Sequence, residues 1–258
     1  MRATLAGGGF LVKIPRPTPQ RVVALLAALL GAVVALGLRA SAASAATFSN
    51  NAGITINDDP DTCLVGGTAT PYPSEITVSG LGSSISDVNV SVSGLSHGFP
   101  DDAGLLLVSP AGQSTLLMTD SGGDLYVSDI NLIFDDAASG TLPENSQISS
   151  GTYKPSVGTT AGAFQGCSAP GSFPDPAPAG PYGSSLSVFN GTNPNGAWKL
   201  YAIDDTTTDG GSIDGWSLDI STTTPVPTTK AQCKKGGFRD FGYPDQGTCI
   251  TAFNENRR

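Results

Sequence analysis

A histidine acting as general base needs a serine or cysteine nucleophile at one ring nitrogen and an orienting carboxylate at the other. The chain has one histidine, His97, in His97-Gly98-Phe99-Pro100-Asp101-Asp102, and no constellation of base, nucleophile and carboxylate can be assembled around it from spacing alone. Its four cysteines include no Cys-x-x-Cys pair, which excludes zinc ribbons, and one histidine excludes histidine-rich metal centres. Carboxylates offer more. Asp58-Asp59, Asp101-Asp102, Asp135-Asp136 and Asp204-Asp205 each stand near a predicted strand end. Calcium takes six to eight oxygens, and loop carboxylates can supply them. Aspartates also favour turns and keep loops soluble, so the pairs do not specify an ion. Asp205 to Gly210 matches an EF-hand loop at its first, fifth and sixth positions, but Trp216 stands at the twelfth and no flanking helices are predicted. Carbohydrate sites use exposed aromatic rings. Trp198 and Trp216 fall in alternating segments that place them in a core, and Tyr126, Tyr153 and Tyr182 are too scattered in sequence to define a platform. No acid pair stands out as a glycosidase couple.

The elements that must position these residues have a period of two. Val88, Val90 and Val92 alternate with polar neighbours, as in a strand with one buried face. Leu105-Leu106-Leu107-Val108, a turn at Ser109-Pro110-Ala111-Gly112, and Thr115-Leu116-Leu117-Met118 read as a hairpin. Further strands are predicted at Ile76–Ser79, Ile130–Phe134, Leu186–Phe189, Trp198–Ile203 and Trp216–Ile220. With 33 glycines, 19 prolines and no convincing helical stripe, the expectation is an all-β, antiparallel sandwich. Val88, Val90, Val92, Leu106, Trp198 and Trp216 are its expected core. Residues 158–184 are rich in Pro, Gly and Ala, and read as a surface excursion with few apolar anchors.

Basic residues at Lys13, Arg16 and Arg21 precede an apolar run from Val22 to Leu38 and a small-residue tract, Ala40 to Ala46. Residues 1–46 therefore read as a secretory signal peptide cleaved after Ala45 or Ala46, which sends the chain to a secreted, disulfide-permissive location. The β-sandwich occupies 47–221, a Thr/Pro linker 222–229, and a two-cysteine module 230–258 that is expected to form a miniature hairpin. From 47 to 229 there are two basic and nineteen acidic residues; from 230 to 258 there are six basic and three acidic. Such an acidic domain argues against nucleic acid, and against membrane association beyond the signal peptide. Four cysteines allow three connectivities; the division into modules with an even count in each favours Cys63–Cys167 and Cys233–Cys249.

Several segments together resemble a known family. Ile85-Ser86-Asp87-Val88-Asn89-Val90, the His97 to Asp102 segment, Leu105 to Gly112, Phe189-Asn190-Gly191, Asn195-Gly196-Ala197-Trp198-Lys199-Leu200-Tyr201 and Gly211 to Leu218 are similar, in that order, to the P domain (P/Homo B domain). That domain follows the catalytic domain of subtilisin-like proprotein convertases and of bacterial secreted proteases. The resemblance implies a jelly-roll, galactose-binding-like sandwich. The second aspartate after His97 and the long Pro/Gly excursion depart from the convertase pattern and resemble a protease-free bacterial branch. The tail is similar to a two-cysteine segment that ends other exported bacterial proteins. The expected function is a non-catalytic binding or scaffolding module for an unknown protein or extracellular surface ligand, or an accessory subunit of a separate subtilisin-like serine protease acting in trans. No Gly-Thr-Ser segment of the kind that carries a subtilisin-like nucleophile is present. By motif position, the resemblance points to structural calcium at Asp102, Asp135, Asp136 and Asp205.

Overall fold

The computed structural model describes residues 43–58, 67–82, 84–158, 173–206, 209–223, 227–255 and 257. Its strands are β1 (Ala43–Asn50), β2 (Ile54–Ile56), β3 (Gly67–Thr68), β4 (Ser74–Val78), β5 (Ser84–His97), β6 (Ala103–Val108), β7 (Ser114–Thr119), β8 (Val127–Phe134), β9 (Gly151–Tyr153), β10 (Ser156–Val157), β11 (Gly196–Asp204), β12 (Gly211–Ile213) and β13 (Gly215–Thr223). They form a seven-stranded sheet, β1-β13-β5-β12-β2 with β8 and β9 beyond β5, and a six-stranded sheet, β10-β7-β6-β11-β3 with β4 also on β11. One core lies between them. It includes Val88, Val90, Val92 and Trp216 from the first sheet and Leu105, Leu107 and Trp198 from the second. Both indoles are satisfied inside: Trp198 Nε1 donates to the Pro194 carbonyl at 2.8 Å and Trp216 Nε1 to Ser74 Oγ at 2.9 Å. Core packing thus claims both tryptophans.

The uninterrupted apolar run of β6 has a physical cause. Leu105 and Leu107 face the main core, while Leu106 and Val108 belong to a second cluster with Leu116, Phe173, Ala177, Tyr201 and Ile203. Strands covered on both faces lose their polar alternation. What covers the outer face is the second half of the Pro/Gly-rich excursion, so the expectation of a segment with little to hold it is corrected for residues 173–184. Tyr72 donates to the Pro174 carbonyl at 2.9 Å and Tyr201 to that of Pro176 at 3.1 Å.

Two further expectations change. The sheets are mixed, not antiparallel throughout, because the chain from Gly151 to Val157 passes from one sheet to the other. It adds β9 parallel to β8 and then β10 parallel to β7. Leu186–Phe189 is a 3₁₀ turn instead of a strand. Its buried residues, Leu186 and Phe189, are three apart, the repeat of that helix. The strand expected at Trp216–Ile220 is longer, and β1 is a strand outside the expected set. β1 begins at Ala43, pairing Ala43–Ala46 with Thr223–Ile220, and β13 runs to Thr223.

In the tail the expected hairpin is replaced by a 3₁₀ turn, Gly237–Phe241, and an α-helix, α1 (Gln246–Glu255). Cys233 and Cys249 are joined in a disulfide. Asp245 accepts from the amide of Thr248 at 2.8 Å, the N-capping pattern that starts such a helix. Cys63 and Cys167 lie outside the described residues. Among the described residues no helix is long and apolar enough to cross a membrane.

Candidate functional site

His97 is placed by a bulge. Along β5 the inward residues are Val88, Val90 and Val92, and strict alternation would turn residue 97 outward. The register with β8 shifts between Val92 and Leu95, where Gly94 has φ of 66°. The extra residue reverses the parity, so that Leu95 and His97 point inward. A Cβ at Gly94 would overlap the Asp214 carboxylate, which fixes glycine at the bulge.

The histidine ring is then enclosed. The Phe99 amide donates to its Nδ1 at 3.2 Å, which puts the proton of the neutral ring on Nε2. That nitrogen lies 3.3 Å from Asp204 Oδ2, with both side chains fully shielded from solvent. The contact is within ion-pair range but off hydrogen-bond geometry. A ring held this way bridges β5 and β11, and its burial shields both nitrogens from solvent.

Around this pair lies a group of carboxylates from three segments: Asp101 and Asp102 before β6, Asp120 after β7 and Asp205 after β11. The Asp205 amide donates to the Asp102 carbonyl at 3.0 Å, which draws the end of β11 against the 3₁₀ turn Pro100–Asp102. Burial, reinforced by Asp204, raises the Asp102 carboxyl to about 6. Burial raises Asp205 to about 7, with Asp102 and Asp120 adding to the shift. Asp120, in the left-handed region at φ of 47°, rises to about 6 through burial and then the charge of Asp101. Asp101 itself is raised, again mainly by burial. Buried and gathered together, these carboxylates hold their protons more tightly than exposed ones because each further charge costs desolvation and repulsion.

Asp135 and Asp136 sit elsewhere. They follow β8, whose Phe134 pairs with Val90, and they act electrostatically on Asp87 near the start of β5. His97 ends the same strand, ten residues and roughly 30 Å further along. Asp136 accepts from the amides of Leu186 at 3.0 Å and Ser187 at 2.8 Å, tying down the 3₁₀ turn. Asp135 accepts from the Ala137 amide at 2.7 Å. The four residues implied by the resemblance thus fall into two pairs at opposite ends of the sheet. Among the described residues no three His, Cys, Asp or Glu side chains converge to hold a metal ion. They do not fit a single calcium ion bound by all four.

Beside the enclosed histidine the surface opens into a groove of about 510 Å³ whose walls include Tyr126, Ser128 and Ser212. Sequence reading had no way to single out Asp120 or this groove, because each depends on loops brought together from separate strands.

No protein-family model matches the sequence, and no curated protein matches it. Among solved structures, the fold is similar to the serine protease of Aeromonas sobria, in its complex with a chaperone (TM-score 0.35, 14% identity, 72% of this chain and 28% of that one) and alone (TM-score 0.34, 14% identity, 70% and 27%). The chain spans less than a third of the length of that protease.

Proposed function

We propose that the protein is an exported, non-catalytic binding or scaffolding module with a P-domain-like jelly roll of the galactose-binding-like kind. The observation that carries this reading is the state of His97: buried, with Nδ1 taken by the Phe99 amide and Nε2 against Asp204, it is committed to the fold. The Cys233–Cys249 disulfide is in keeping with an oxidising compartment. The purified secreted protein is expected to leave unfolded casein intact, and His97→Ala to lower the melting temperature. Casein cleavage that disappears in a folded His97→Ala variant would overturn the reading.

A second reading rests on the ordered motifs between residues 50 and 221, which resemble a domain that accompanies subtilisin-like proteases. It makes the chain an accessory subunit acting in trans on such an enzyme. Affinity capture from culture supernatant separates the two: recovery of a stoichiometric serine endopeptidase favours the accessory subunit, and its absence favours the free-standing module.

A further inference from the structure

We infer that the turns from Lys230 to Arg239 in the tail form a docking surface for a linear polyanion, in which Lys230, Lys234, Lys235 and Arg239 grip successive phosphate or carboxylate groups. This goes beyond the binding-module reading, because it concerns the tail and does not depend on what the sandwich binds. Four of the six basic residues after residue 229 fall within these ten positions, and all four are exposed. Consecutive tight turns carry them. The Gln232 amide donates to the Thr229 carbonyl at 3.2 Å, Lys234 to Ala231 at 3.1 Å, Gly237 to Lys234 at 3.0 Å and Arg239 to Gly236 at 3.1 Å. A backbone wound in this way advances at most about 2 Å per residue, which gathers four positive charges within about 20 Å.

Three observations separate this surface from an ordinary solvated face. The first is that its charges are not balanced locally. Among the described residues none of the four cations is in an ion pair, and Asp245, one of the tail's three carboxylates, is occupied with the amide of Thr248 at 2.8 Å and its hydroxyl at 3.0 Å. The second is that the turns are fixed. Cys233 is joined to Cys249, a Cβ at Gly237 would overlap the Gln232 carbonyl, and the Arg239 guanidinium lies 5.0 Å from the centre of the Phe238 ring. Groups held in advance lose less entropy on binding. The third is Lys235, whose φ of 55° lies in the left-handed region where glycine or asparagine is at ease and a long side chain is strained. Strain of this kind collects at functional sites.

The kind of partner follows from what accompanies the charge. None of the exposed large apolar side chains among the described residues lies in the tail, so nothing is offered to a bilayer interior. Phe238, Phe241 and Tyr243 are each partly buried, which leaves no open ring for bases to stack on. Lysines are hydrated point charges that accept phosphate or carboxylate without demanding one geometry. From 47 to 229, nineteen acidic residues against two basic ones repel the same polymer. Binding through the tail therefore holds the sandwich at a polyanionic surface without covering it.

The test is calorimetric titration of the secreted full-length protein at low salt with inorganic polyphosphate, which supplies phosphates, and polygalacturonate, which supplies carboxylates. At least one should bind, and the arm that binds names the anion. With four contacts the log–log slope of affinity against salt should be about −3, and Lys234→Gln with Lys235→Gln should bring it to about −1.5 and weaken binding about tenfold. Lys154→Gln, which removes a charge from the sandwich, should change neither. Lys235→Asn should increase hydrogen-exchange protection in the tail by relieving the left-handed lysine, and should nevertheless weaken binding. Absence of binding to both polymers, unchanged affinity in the double variant, or tighter binding to anionic vesicles or single-stranded DNA than to either polymer would each overturn the inference. So would a salt-sensitive dimer that the double variant dissolves, because the cations would then belong to the sandwich of a second copy.

Discussion

At the scale of single residues, Asp205 offers the sharpest test. Its carboxyl is raised to about 7 by burial and by the charges of Asp102 and Asp120. An unfolded aspartate titrates near 4. A folded pKa above the unfolded one means that the native state binds the proton more tightly. The stabilisation is therefore complete below about pH 4 and is lost as pH rises towards about 7. Asp102 and Asp120, each raised to about 6, act in the same direction. The melting temperature should be higher at pH 5 than at pH 7.5 in the presence of a chelator. Asp205→Asn should raise it at pH 7.5 and flatten the pH dependence, as followed by differential scanning calorimetry. A calcium ion held by Asp102 and Asp205 would give the reverse: Asp205→Asn would be destabilising, and chelation would lower the melting temperature of the wild type. Such a result would support calcium at Asp102 and Asp205, one half of the set that the resemblance implies.

Among the elements, the segment 173–184 has a role that its composition conceals. Phe173 and Ala177 are buried against Leu106, Tyr201 and Ile203, and the Phe173 ring meets Tyr182 edge-on with centroids 5.9 Å apart. Phe173→Ala should cost about 3 kcal/mol, or about 6–12 °C in melting temperature, in the range of buried aromatic truncations. A change under about 2 °C would show that the segment lies on the sheet without stabilising it. This element also marks where sequence reading stops. Val88, Val90, Val92 and the two tryptophans were legible because a one-sided strand prints its alternation directly into the sequence. The run Leu105–Val108 carried a second message, that both faces are covered, but did not say by what. Strict alternation counted from Val88 would turn His97 outward, and the single bulge residue at Gly94, which reverses the parity after it, cannot be read from the pattern. The short 3₁₀ turn Leu186–Phe189 failed for a related reason: over four residues, two apolar positions do not separate a period of two from one of three. Asp101, Asp102, Asp204 and Asp205 were visible as pairs, yet their meeting with Asp120 depends on which strand ends the topology brings together.

At the scale of the whole molecule, the question is whether the tail and the sandwich share a fate. Among the described residues, neither core cluster contains one beyond Ile220, so the main-core packing among them does not draw on the tail. Within the tail, the buried side chains of α1 are Cys249 and Phe253 alone. A ten-residue helix is shorter than isolated helices need to be stable in water. Its order must come largely from the Cys233–Cys249 cross-link, which spans 16 residues and should contribute about 3 kcal/mol on the chain-entropy account. The double substitution Cys233→Ser, Cys249→Ser should therefore remove hydrogen-exchange protection from residues 246–255 while leaving the protection of β5, β11 and β13 and the main calorimetric transition in place. Loss of protection in those strands as well would mean that the tail is a structural part of the sandwich. Retained protection in α1 would mean that Phe253 and its neighbours pack well enough to hold the helix without the disulfide.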